Sequence, residues 1–195
     1  VEADIGISEG KFAAFLDKGT PAEAKEVIDA AGKLLFPGII DCHAHLNEPG
    51  FTWREDFATG SRAAAVGGTT TLIDMPLNND PPLINSDVFR MKFDLIDKKA
   101  VVDYALWGGL IDDNYNDLVG LQECGVAAFK AFVCPCGKPF PNVNMGQVKA
   151  ALELLKPYGA LCGFHCEEYG MILEAEKKAQ EEGRNTVRDF LDAHD

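Results

Sequence analysis

Two histidines placed two residues apart, His43 and His45, are the first candidates for chemistry in this sequence. On an extended backbone, side chains two residues apart point to the same side. Two imidazoles on one side suit a divalent metal such as zinc, and not calcium or magnesium. The alternative is an exposed or hydrogen-bonded pair without a metal. The preceding apolar segment 36–41 favours the metal, because a strand of a barrel delivers such side chains to the catalytic face.

One lysine, Lys130, interrupts the otherwise apolar segment 126–132. An unpaired ammonium group is costly to bury. Either the side chain extends out of the strand end into solvent, or it is a buried amine with a lowered pKa. Such an amine could react with a carbonyl compound or with CO₂, and carbamylation would turn the cation into a bridging carboxylate.

The other histidines and the cysteines carry weaker signals. His165 ends the strand-like segment 160–165, whereas His194 lies in a polar stretch and is assigned no functional role. Without a secretory signal, the six cysteines are interpreted as reduced thiols, most of them buried. A weaker alternative is a structural zinc site that combines His165 with Cys134, Cys136, Cys162 and Cys166, although their spacings do not match paired C-x-x-C motifs.

The elements that must position these residues alternate from residue 36 onward. Strand-like segments cover 38–41, 70–75, 101–107, 126–132 and 160–165, and helix-like segments cover 55–66, 86–99, 116–124 and 145–155. This alternation predicts a parallel sheet, either a (β/α) barrel or a doubly wound sheet. The absence of a glycine-rich dinucleotide motif after any of these strands disfavours a dinucleotide-binding fold. Ahead of them, segments 4–7 and 11–15 predict a β-hairpin.

Composition excludes several classes of function. The 195 residues include 18 Lys+Arg and 31 Asp+Glu, a formal net charge of −13, which disfavours nucleic acid as a partner. No apolar run approaches the roughly 20 residues that a membrane span needs. We therefore expect a cytoplasmic globular protein that binds neither nucleic acid nor membrane.

Segment 37–45, Pro-Gly-Ile-Ile-Asp-Cys-His-Ala-His, resembles the opening motif of the cyclic amidohydrolases, the family of dihydroorotases, hydantoinases and allantoinases. Further segments resemble the allantoinases most closely: 47–50, 61–65, 67–71, 74–78, 125–132, 164–167 and 181–184. The resemblance implies metal-dependent hydrolysis of a cyclic amide, with allantoin converted to allantoate in purine degradation. The alternatives are dihydroorotase or hydantoinase (dihydropyrimidinase) activity, or a truncated, non-catalytic scaffold.

The resemblance also implies a ligand set. His43 and His45 would hold one divalent metal ion, carbamylated Lys130 would bridge two ions, and His165 would bind the second, with zinc as the expected metal. Two such ions generate a nucleophile from water at neutral pH and polarise the carbonyl that it attacks. Family members commonly form tetramers, so a homo-oligomer is expected.

Two asparagines, Asn47 and Asn78, are the candidates for substrate contact. Dihydroorotases carry arginine where Asn47 stands, and that arginine pairs with a substrate carboxylate. Asparagine cannot supply this charge, which favours an uncharged cyclic ureide. For both residues the alternative is a role in a turn.

The resemblance finally implies the domain organisation. Residues 1–35 are expected to be part of a small β-sandwich domain, and 36–195 to be an incomplete TIM barrel with about five βα units. A complete barrel needs about 250 residues. The family's last histidine ligand and its catalytic aspartate cannot be placed here, so no catalytic residue is assigned, and we expect that aspartate beyond Asp195.

Overall fold

The computed structural model describes residues 1–194, and the chain divides into two compact units between Pro37 and Gly38. In the first unit, β1 (Ala3–Ser8) and β2 (Lys11–Asp17) form an antiparallel hairpin. Glu9 and Gly10 connect them with positive φ angles of 51° and 72°, as a tight two-residue hairpin turn requires. The predicted hairpin is confirmed, while the assignment of 1–35 to a β-sandwich domain stays a prediction.

The second unit is built on five parallel strands. They are β3 (Ile39–Ala44), β4 (Thr69–Asp74), β5 (Asp103–Gly109), β6 (Ala128–Phe132) and β7 (Cys162–His165), and they pair in chain order. The helices are α1 (Phe57–Val66), α2 (Ser86–Ile96), α3 (Leu118–Cys124), α4 (Met145–Leu155), α5 (Tyr169–Glu181) and α6 (Val187–Ala193). Single 3₁₀ turns cover Tyr115–Asp117 and Lys156–Tyr158. This alternation around a curled sheet is part of a TIM barrel, as predicted.

Short polar side chains define where several helices begin. Asp56 accepts a hydrogen bond from the backbone N–H of Thr59 at 2.7 Å, and Asn85 does the same for Val88 at 3.0 Å. Such caps satisfy backbone donors that the first helical turn leaves unpaired. Because these caps define where α1 and α2 begin, they also define where the loops that follow β3 and β4 end.

Two apolar clusters hold the second unit together. The larger joins strands to helices and includes Phe57, Leu72, Leu106, Leu118, Phe129 and Ala151. The smaller one, Met75, Leu77, Ile111 and Phe140, lies in segments that follow β4, β5 and β6. Gly109 is required beside it, because a Cβ there would lie 2.8 Å from the Phe140 ring. The loops at the carboxyl edge of the sheet are therefore packed against one another.

The structure corrects two expectations. Strand β3 extends to Ala44, beyond the predicted segment 38–41, so His43 lies within the strand and not after it. All six cysteines are free, as predicted, but only Cys134 is buried. The expectation that most are buried was wrong. Cys42 lies on the exposed strand β3, and Cys136 and Cys166 lie in loops that are exposed to solvent. Within residues 1–194, no helix combines the length and the apolar character that crossing a membrane would take.

Candidate metal centre

The imidazoles of His43 and His45 lie together, as their spacing predicts. Their ring centroids are 5.3 Å apart, and the ring planes are inclined by 52°. Burial lowers the pKa of His45; Asp74 raises it, and His43 lowers it further. The net lowering of this pKa favours the neutral imidazole, which is the form that binds metal ions.

The Nδ1 atom of His45 tests whether the two imidazoles fit a metal ion. It is buried, and no partner for a hydrogen bond lies within reach among the described residues. A buried polar atom without a partner is costly, so native structures satisfy nearly all of them. A cation beside this ring would satisfy the atom, and the two imidazoles therefore fit the divalent metal that the sequence predicts.

A buried ion pair supports the segment that follows β3. Nζ of Lys92 lies 2.5 Å from Oδ2 of Asp74 and 3.1 Å from Oδ1 of Asn79, and the Lys92 and Asp74 side chains are fully buried. The other oxygen of Asp74 accepts the backbone N–H of Leu46 at 2.7 Å. Burial raises the pKa of Asp74 and lowers that of Lys92, while their mutual attraction opposes both changes. The pair thus holds the residue next to His45.

A second buried carboxylate lies in the same segment. Glu48 is 1% exposed, pairs with Lys99, and accepts the backbone N–H of Phe57 at 2.9 Å. Phe57 is the first residue of α1, so Glu48 ties the loop after β3 to the start of that helix. With Asp74, it fixes the backbone that carries His45.

Lys130 lies inside β6 and is only 7% exposed. Its Nζ is 4.8 Å from the centre of the Phe132 ring, so the side chain does not extend into solvent. Burial lowers its pKa, although the thiols of Cys136, Cys166 and Cys134 act in the opposite direction. Lys130 also contributes to the lowered pKa of His45, which links the two parts of the site electrostatically.

His165, the last residue of β7, has different neighbours from those of His43 and His45. Its ring stacks on Phe132, with centroids 5.2 Å apart, and its Nε2 is 3.3 Å from Oε2 of Glu167. Within residues 1–194, the one set of three His, Cys, Asp or Glu ligand atoms that lie within 4.8 Å of one another is Cys134, His165 and Glu167. The structure therefore groups His165 with these two residues.

The residues of the alternative thiol-rich zinc site do not all lie close together. Cys134 and His165 are together, but Cys162, at the start of β7, packs on the larger core cluster. His194 lies outside the site, since its ring packs on Phe190 with centroids 4.1 Å apart. Nδ1 of His194 also lies 2.8 Å from the backbone carbonyl oxygen of Phe190.

Both candidate substrate contacts are turn residues. Asn47 and Asn78 have φ angles of 53° and 62°, a left-handed conformation that asparagine tolerates better than most residues. Asn47 is buried, and its amide donates to the carbonyl of His45 at 3.1 Å, whereas Asn78 is exposed. The turn role is thus visible for both, and substrate contact stays a prediction.

Sequence reasoning missed Asp74, Lys92 and Glu48 beneath the histidines, and Glu167 beside His165. Lys92 carries a readable signal, because it lies four residues from Val88 and four from Ile96, on the inward stripe of α2. A lysine on such a stripe calls for a buried carboxylate. No comparable signal marks Glu167.

Comparisons with known proteins identify relatives of this chain. Residues 34–193 match the sequence model of the amidohydrolase family. The chain is 41% identical to an allantoinase of Desulfitobacterium hafniense (strain Y51) and 38% identical to one of Deinococcus radiodurans. Each alignment covers 98% of this chain and 43% of the relative.

Solved structures show the same fold. An L-hydantoinase (dihydropyrimidinase) from Arthrobacter aurescens is similar with a TM-score of 0.92 at 28% identity, over 100% of this chain and 44% of the other. A D-hydantoinase is similar with a TM-score of 0.77 at 32% identity, over 100% of this chain and 43% of the other. The chain thus spans less than half the length of the relatives it matches.

Proposed function

Because this chain belongs to the amidohydrolase family, we propose that it supplies the metal-binding part of an enzyme that hydrolyses allantoin to allantoate in purine degradation. One observation carries the proposal: His43, Lys130 and His165 lie in three parallel strands whose carboxyl ends share one edge of the sheet, and His45 directly follows the first of these strands. Active sites of TIM barrels lie at this edge. The similarity to allantoinases supports the choice of substrate.

The proposed roles follow the family resemblance. His43 and His45 would hold one ion, His165 would hold the second, and Lys130 would serve both as a carbamate. Two divalent ions, with zinc expected, would supply Lewis acidity toward the substrate carbonyl and lower the pKa of water. Members of this family are generally metal-dependent.

Burial prepares Lys130 for carbamylation. Because its pKa is lowered, more of the side chain is the neutral amine, which is the form that attacks CO₂. A new N–C bond forms, and the nitrogen releases one proton to solvent. The product is an anion, which reverses the charge at a position where a cation is poorly solvated.

Substrate recognition is assigned to Asn47 and Asn78. Their amides donate and accept hydrogen bonds without carrying charge, which suits an uncharged ureide ring. Asn47 follows β3 and Asn78 follows β4, which supports a role for both at the carboxyl edge of the sheet. A cytoplasmic homo-oligomer, a tetramer by resemblance, completes the proposal, and sedimentation velocity would test the assembly.

A substrate panel tests the proposed reaction. A zinc-loaded, full-length protein that contains this chain is assayed with allantoin, dihydroorotate and hydantoin, and we expect hydrolysis of allantoin to be fastest. Faster hydrolysis of another ring would contradict the choice of substrate. Bound zinc without turnover of any of the three would favour the non-catalytic scaffold.

Intact mass tests the bridging ligand separately. Under native conditions with bicarbonate and zinc, the protein should gain the mass of one CO₂. Lys130→Arg is the matched variant, because it keeps the positive charge but cannot form the carbamate, and it should show no gain. An equal gain in both proteins would place the modification elsewhere.

A further inference from the structure

A second set of metal-ligating side chains lies beside the proposed centre. The ligand atoms of Cys134, His165 and Glu167 all lie within 4.8 Å of one another. Nε2 of His165 and Oε2 of Glu167 are 3.3 Å apart. That separation is close to what two ligand atoms at roughly 2.1 Å from a tetrahedral zinc ion would have.

The pairing of β6 with β7 brings these residues together. Phe132 and His165 are register partners, and the N–H of Val133 donates to the carbonyl of His165 at 3.0 Å. Cys134 follows two residues after Phe132 and is 4% exposed, so its position is set by packing. The Phe132 ring stacks on the imidazole and restricts its orientation.

We propose that Cys134, His165 and Glu167 bind a soft or borderline divalent cation, such as zinc, cobalt or cadmium. A sulfur, an imidazole nitrogen and a carboxylate oxygen form a set that these ions accept and that magnesium and calcium do not. The Cys134 thiol gives its proton to solvent as the metal–sulfur bond forms. Three protein ligands leave a fourth tetrahedral position open.

This site shares His165 with the proposed dinuclear centre. Nε2 of His165 can bind one ion at a time. A cation held with Cys134 and Glu167 would therefore make His165 unavailable to the proposed dinuclear centre. That consequence rests on the proposed function, whereas binding by the three residues does not. A soft cation in excess would therefore inhibit hydrolysis by occupying this set.

Cobalt absorbance tests the site directly. Titration of the 195-residue chain with Co²⁺ should produce a thiolate-to-cobalt charge-transfer band in the near ultraviolet. The band should disappear in Cys134→Ser and persist in Cys136→Ser, the matched control, since Cys136 lies two residues away but outside the set of three. A band that survives in Cys134→Ser, or that depends on Cys136, would overturn the proposal.

Glu167→Gln provides a second readout if Cys134→Ser does not fold, which far-ultraviolet circular dichroism would show. The Glu167 side chain is 40% exposed, so its replacement should leave the fold intact and weaken Cd²⁺ binding by at least about tenfold. Unchanged Cd²⁺ affinity would overturn the proposal. Neither measurement needs turnover: cobalt binding without amide hydrolysis contradicts only the proposed function, and hydrolysis without a thiolate band contradicts only this site.

Discussion

The two sides of the candidate metal centre are built on different physical principles. On the β3 side, the segment that carries His43 and His45 is anchored by two buried carboxylates, Asp74 and Glu48, each paired with a lysine. On the β6–β7 side, His165 is held by stacking on Phe132 and by contact with the partly exposed Glu167. One side is anchored by charges inside the protein, and the other by contacts near its surface.

This difference has a chemical consequence. Separating the charges of a buried ion pair leaves each of them poorly solvated, so arrangements that separate them are disfavoured. The β3 side should therefore present its imidazoles in one geometry. The imidazole of His165 can exchange one partner for another at little cost, which is what a ligand shared between two metal sets needs.

Removal of the Lys92 charge should have the largest effect. Lys92→Met leaves Asp74 buried without its partner, and we expect a loss of about 3–5 kcal/mol in the free energy of unfolding, measured by urea denaturation. Lys149→Met is the matched control, since Lys149 forms an exposed pair with Glu153 at 3.8 Å, and its loss should stay below about 1 kcal/mol. Similar losses in both variants would contradict the anchoring role of Asp74.

An intermediate effect is expected from Lys99→Met. Lys99 is 36% exposed, and Glu48 keeps its hydrogen bond from Phe57, so we expect a loss of about 1–3 kcal/mol. The exposed neighbour Lys98 provides the control, and Lys98→Met should change the free energy of unfolding by less than about 0.5 kcal/mol. Equal results would mean that the Glu48 pair does not stabilise the fold.

A smaller effect on stability, confined to acid pH, is expected from two aspartates at helix N-termini, Asp56 on the β3 side and Asp189 after β7. Hydrogen bonds from Thr59 hold the pKa of Asp56 below its usual 3.8, and hydrogen bonds from Thr186 do the same for Asp189. Each carboxylate therefore contributes stability fully above pH 3.8, and this contribution is lost as the pH falls through the lower folded-state pKa.

Acid unfolding curves measure this contribution. Asp56→Asn and Asp189→Asn keep a capping oxygen but do not titrate, so each should reduce the dependence of stability on pH below about 4. The reduction should be similar on the two sides. A reduced pH dependence in only one of the two variants would show that the difference between the two sides extends to their helices.

The smallest effect on stability is expected from Glu167→Gln. The His165 and Glu167 side chains are 47% and 40% exposed, so the free energy of unfolding should change by less than about 0.5 kcal/mol. A loss of several kcal/mol in urea denaturation would show that the β6–β7 side is as rigidly anchored as the β3 side.

The sequence predicts the strands better than the contacts between them. Five apolar segments of strand length predict β3 to β7, because the strands of parallel sheets in α/β proteins are typically nearly continuous apolar runs. The same segments make Lys130 conspicuous, since a lysine is rare in such a strand. The spacing of His43 and His45 likewise fixes their common direction through backbone geometry alone.

The ion pairs were not predictable in the same way. Asp74 and Lys92 are 18 residues apart, and Glu48 and Lys99 are 51 apart, so their pairing depends on how strands and helices pack. The exposure of the cysteines was mispredicted for a related reason. The prediction used the general tendency of cysteine to be buried. Cys136 and Cys166 instead lie in loops that are exposed to solvent.

The order of the strands also bears on how the protein is made. Since β3, β4, β5, β6 and β7 pair in chain order, each strand that leaves the ribosome finds its partner already synthesised. All four residues of the ion pairs on the β3 side, the last of them Lys99, are therefore synthesised before β5 begins at Asp103. His165 is added later, with β7, so the ligand that two metal sets would share is the last of the four to be placed.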